Sequence, residues 1–178
     1  MAIFNRLPKF KQIIPVYAVA VVILYTWTAL WFFWKFPSWI FFMNVGEIAL
    51  VYAYMLATNF LESLLVLCIP IALSLILPSK WFRDSFVAHG ASLVMLGLGY
   101  LIFLAYQFPT KNSYPGALLK LWSIALALGI ILLLVFIVGR TAFMKKAVEV
   151  IAEQATIFLF AYIPLSLISL IIVLPRIL

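Results

Sequence analysis

Residues 45–78 read VGEIALVYAYMLATNFLESLLVLCIPIALSLILP, 34 positions that are almost wholly apolar and carry Asn59 and Glu62 inside them. As a straight helix, 45–77 would be about 50 Å long, against a bilayer hydrocarbon core of about 30 Å. The stretch therefore reads as one membrane-crossing segment that tilts, bends or protrudes. Pro70 removes one backbone hydrogen bond and crowds the carbonyl of Val66, so a kink is expected near it. A carboxylate at this depth costs about 2.5–3.5 kcal/mol on insertion scales, so Glu62 needs a partner.

The rest of the chain is of the same kind. Hydrophobic residues make up 68% of the 178 positions and charged residues 10%, against about 45–50% and about 25% in soluble domains. A soluble fold has no means of hiding that much apolar surface. At about 20 residues per crossing, the length accommodates a handful of spans and leaves no room among them for a soluble catalytic domain. The expected architecture is an all-α integral membrane protein: a compact bundle of about five transmembrane helices forming a single polytopic domain over 1–178. The expected spans are about 13–33, 45–77, 86–107, 116–138 and 151–174. Connections of about 7–12 residues would make consecutive helices antiparallel neighbours.

The net charge of +7 does not indicate nucleic acid. The twelve Lys and Arg are scattered between apolar runs, as topology signals and lipid-headgroup contacts are, and they form no basic stripe. With five crossings, Arg6, Lys9, Lys11, Lys80, Arg83, Arg140, Lys145 and Lys146 share one side, and Lys35, Lys111, Lys120 and Arg176 the other. The positive-inside bias then places the amino terminus in the cytoplasm and the carboxyl terminus outside, in a plasma (inner) membrane. The run 13–33 that follows the basic start is too long for a signal-peptide core and reads as the first membrane helix.

Few groups carry chemistry. Cys68 stands alone in an apolar run, so no intrachain disulfide or thiolate cluster is expected. His89, one turn inside the third span, has no second ligand at metal-binding spacing and reads as a headgroup-level or capping histidine. No motif calls for a cofactor. Gly90, Gly97 and Gly99, and the pairs Ser123–Ala127 and Ala125–Gly129, leave shallow places where helices can approach closely. Residues 141–152 read as a short amphipathic helix with Lys145, Glu149 and Glu153 along one face.

Two features point beyond packing. Trp27, Trp31 and Trp34, at i, i+4 and i+7, line one helix face. This stripe is either an interfacial aromatic belt or a docking surface for a partner helix, a lipid or an isoprenoid tail. The second feature is depth. Counting 1.5 Å per residue puts Glu62 about 8 Å, and Lys120 about 6 Å, beneath the same edge of the core, with Tyr100 at that level too. The expected site is a polar cluster of Glu62 paired with Lys120, assisted by Asn59 and Tyr100. Two alternatives stay open: Lys120 snorkels while Glu62 is protonated, or Glu62 meets a cation or basic residue from another subunit.

The leading functional expectation is a small non-catalytic accessory or assembly subunit that packs against a larger membrane protein, or against copies of itself. The alternative is a component of an oligomeric or composite transporter or channel, with Glu62 as its intramembrane ionisable site. An enzyme is not expected, since no nucleophile stands beside a base; a lipid-modifying activity would be the version to test.

Overall fold

The computed structural model describes residues 8–77, 82, 85–107 and 121–177, and among them there are five long helices and no strand. They are α1 (Phe10–Trp39), α2 (Val45–Ile76), α3 (Phe86–Gln107), α4 (Leu121–Arg140) and α5 (Ala142–Ile177). All five are long and apolar enough to cross a membrane, which makes the chain an integral membrane protein.

Helix α1 is the centre. Val16, Ala18, Val19, Ala20 and Val21 are all buried, and so continuous a run leaves no side of the helix uncovered. It is packed against α2, α3 and α5. Thr28 meets Asn59, Phe32 meets Tyr52 and Tyr17 meets Ser63. Higher positions on α1 thus pair with lower positions on α2, so the two run antiparallel. Between membrane helices the attraction is close packing rather than water exclusion, and small residues set how close the axes come. At Gly90 of α3, a Cβ would lie 3.1 Å from Val16 and 3.5 Å from Pro70. The missing side chain is what lets α1, α2 and α3 meet there.

Helix α4 lies at the edge and leans on α3. Gly139 packs on His89, and Ala127 shares cavity walls with Tyr100, so α3 and α4 are also antiparallel. Among the described side chains of α4, only Val135 and Val138 are buried.

Five long helices lie over the expected stretches; the expected start of the fourth, at 116, lies outside the described residues, and three differences stand out elsewhere. Helix α1 runs on to Trp39 rather than ending near 33. Phe36 and Trp39 pack on Phe32, with ring centroids 5.8 and 5.6 Å apart, and these contacts carry the helix through the exposed Pro37. Residues 141–152 are not a separate helix but the first turns of α5. Ala152 and Ala155 are both buried, and no Gly or Pro interrupts the sequence before Pro164. Among the described residues, no ion pair joins Lys145, Glu149 and Glu153.

The third difference is the connection between α4 and α5, which is a single residue and not a loop of 7–12. The Thr141 N–H donates to the Ile137 carbonyl at 3.1 Å, and its own carbonyl accepts from Lys145 at 2.9 Å. Its hydroxyl also donates to Ile137, at 3.0 Å. One threonine therefore satisfies backbone groups of both helices. At the start of α2, Asn44 and Glu47 cap each other reciprocally, side chain to backbone, at 2.8 and 2.9 Å.

Candidate functional site

Polar side chains inside the bundle gather where α1, α2 and α5 meet. Tyr17, Tyr25 and Thr28 look out from one side of α1 toward these partners. The Tyr25 hydroxyl bonds that of Ser166, which donates to the Tyr162 carbonyl at 2.7 Å. The Tyr25 and Tyr162 rings are 4.7 Å apart. A turn further along α1, Thr28 donates to Asn59 Oδ1 at 2.9 Å. In the other direction, the hydroxyls of Tyr17 and Ser63 are 3.2 Å apart, and Ser63 also donates to Phe60 at 2.8 Å. These bonds join three helices at membrane depth, where an unmet polar group is costly. Asn59 Nδ2 is the exception: it is buried and has no hydrogen-bond partner among the described residues.

This polar seam was not singled out in the sequence. The available signal was the recurrence of hydroxyls within apolar runs at Tyr17, Tyr25, Thr28, Ser63 and Ser166, each needing an acceptor that lipid does not offer.

Of the expected cluster, Asn59 is turned inward, 3% exposed, with its carbonyl oxygen on Thr28. Glu62, three residues on, is exposed. The structure thus takes Asn59 to α1, not to Glu62. Tyr100 is half-buried on α3, and Lys120 lies outside the described residues. Among the described residues, Glu62 makes no hydrogen bond or ion pair.

Two apolar cavities flank the contact between α3 and α4. The first, about 460 Å³, is walled by α2, α3 and α4, including Val66, Ile69, Pro70, Gly97, Leu98 and Ala127. The second, about 610 Å³, lies on the other side, between Gly99 and Phe103 of α3 and Leu126 and Ile130 of α4. Tyr100 borders both. A Cβ added at Gly97, Gly99 or Gly129 would meet nothing within 4 Å. Of the glycines expected to seat a neighbouring helix, Gly90 alone does so among the described residues.

Trp27, Trp31 and Trp34 form a ladder of edge contacts, with centroids 5.9 and 5.0 Å apart. The Lys35 ammonium lies 5.6 Å from the Trp34 ring, a cation–π distance. By helical spacing, the ladder continues the side of α1 that holds Val16 and Ala20. Val16 packs on α3, but Trp27 and Trp31 are only half-buried and Trp34 is 69% exposed, so the stripe emerges from the packed part of α1 onto the surface.

His89 is buried, with Nδ1 2.9 Å from the Ser85 carbonyl and its ring 5.5 Å from that of Phe82. It is a packing residue whose ring nitrogen meets a backbone carbonyl, not one of the orphan N–H groups that a cap would satisfy. Among the described residues, no three His, Cys, Asp or Glu side chains come together as metal ligands would. No protein-family model, curated protein or solved structure matches this chain.

Proposed function

We propose that this protein is a small non-catalytic accessory or assembly subunit, with its amino terminus in the cytoplasm, that docks against a larger protein of the plasma membrane through α4. The observation that carries the reading is how little of α4 is buried among the described residues. Ser123 and Ala127 are on the side toward α3, whereas Ala125 and Gly129, at the same four-residue spacing, are exposed. Leu132 and Leu133 extend this outward surface. A small-x-x-x-small pair facing away from its own bundle is the feature a second helix uses for close approach, and with one-residue tethering through Thr141, α4 offers that face along its length.

The test is extraction in a mild detergent followed by mass analysis of the intact assembly, for the wild type and for Gly129→Leu. A companion membrane chain that co-purifies with the wild type and is lost with Gly129→Leu is expected. Recovery of the wild type only as a monomer would overturn the reading.

A further inference from the structure

The cavity between α2, α3 and α4 and the carboxylate of Glu62 belong together. Glu62, Val66 and Ile69 stand at i, i+4 and i+7 on α2, one stripe of that helix, and Val66 and Ile69 line the cavity. Pro70 faces Gly90, and Val66 shares the wall with Val94, Gly97 and Leu98, so α2 and α3 run antiparallel. From the Pro70–Gly90 contact, Glu62 lies eight residues back along α2 and Tyr100 ten residues on along α3. At 1.5 Å per residue these are rises of about 12 and about 15 Å, nearly one level. Glu62 and Tyr100 therefore stand at nearly one level, Tyr100 in the cavity wall and Glu62 one turn beyond Val66 on the stripe of α2 that lines it, and the wall below that level is apolar down to Pro70 and Leu93.

The dimensions choose among occupants. A helix of another protein is about 10–12 Å across with its side chains, so a space of about 460 Å³ holds roughly one 5.4 Å turn of it and no more. A volume of this size falls within the range of about 300–1,000 Å³ typical of small-molecule sites. The lining residues run from Leu93 to Leu104 on α3, about 16 Å of helix, an extended shape that fits one alkyl chain. Charge chooses the head. An acidic group facing lipid-accessible space is costly unless a cation answers it, which disfavours fatty acids and gives neutral lipids nothing in return.

We infer that this cavity holds the tail of a single-chain cationic amphiphile, a long-chain amine, whose ammonium group is met by Glu62 with the Tyr100 hydroxyl beside it. The site is separate from the outward face of α4 and stands whether or not a partner chain docks there.

The experiment uses the full chain in phosphatidylcholine nanodiscs, exposed to hexadecylamine, hexadecanol or palmitic acid, with the retained molecules counted by native mass spectrometry. The wild type is expected to retain the amine over the alcohol by about tenfold or more, the ratio of one charge-assisted contact. Glu62→Gln should bring the amine down to the alcohol's level. Gly97→Leu should abolish retention of both, because its side chain occupies the cavity; Ala127→Leu blocks it from the α4 side should the first variant fold poorly. Equal retention of amine, alcohol, acid and bulk phosphatidylcholine by the wild type would overturn the inference. So would an amine preference that survives Glu62→Gln or persists in both cavity-filling variants.

Discussion

A Cβ built on Gly139 of α4 would overlap Nε2 of His89 on α3. The imidazole is held from behind by the Ser85 carbonyl on Nδ1 and by the Phe82 ring, so it has little freedom to retreat. Any side chain at 139 must therefore push the helices apart. Gly139→Ala gains about 1 kcal/mol of helix propensity but incurs an overpacking cost of about 1–3 kcal/mol, and a net loss of thermal stability in detergent is expected. His89→Ala should relieve the clash, so the double variant should melt above Gly139→Ala. A double variant no better than the single one would show that the two residues do not touch.

The seam of polar bonds through α1, α2 and α5 predicts an asymmetry between its two central pairs. Ser166→Ala leaves the Tyr25 hydroxyl with only the Leu56 carbonyl, 3.5 Å away. A loss of about 0.6 kcal/mol, at most about 1.7, is expected from interhelical bonds in membranes, and Tyr25→Phe on top of it should add little. At the other pair, Thr28→Val removes the one bond made by Asn59, whose Nδ2 is already unmet. Stranding the amide wholly should cost about 1–3 kcal/mol, and Thr28→Val with Asn59→Leu should recover most of it. Double-mutant cycles read by reversible unfolding in detergent check both; additivity at Tyr25 and Ser166 would dissolve the bond.

What the sequence made legible follows from which forces act locally. Apolar runs of bilayer length specify helices by themselves, so α2 and α3 were read to within a residue. The ends of α1 and α5 were missed because they depend on contacts between turns: Trp39 on Phe32, and Ala152 and Ala155 in the core. Rise counting gave Glu62 and Tyr100 a common level but carries no information about azimuth. Asn59 and Glu62 are three residues apart, yet one is buried against Thr28 and the other exposed, a sorting decided by where α1 crosses α2. Glycine positions were similarly ambiguous, since nothing local separates Gly90, packed on Val16 and Pro70, from Gly97, beside a cavity.

The proposed orientation, with the amino terminus in the cytoplasm and the carboxyl terminus outside, rests on a count. With five crossings, eight Lys and Arg would fall on the side of the amino terminus and four on the other, the bias expected of a cytoplasmic amino terminus. The test is labelling of single cysteines near Lys9 and near Arg176 by a water-soluble maleimide in sealed inverted vesicles. Cys68 is exposed on α2, within a span facing lipid, and is replaced by serine so that only the introduced thiols report. The cysteine near Lys9 is expected to react without detergent, and that near Arg176 only after the vesicles are opened. Reaction of both ends from the same side would mean an even number of crossings. The positive-inside count would then no longer fix which side the later helix ends face.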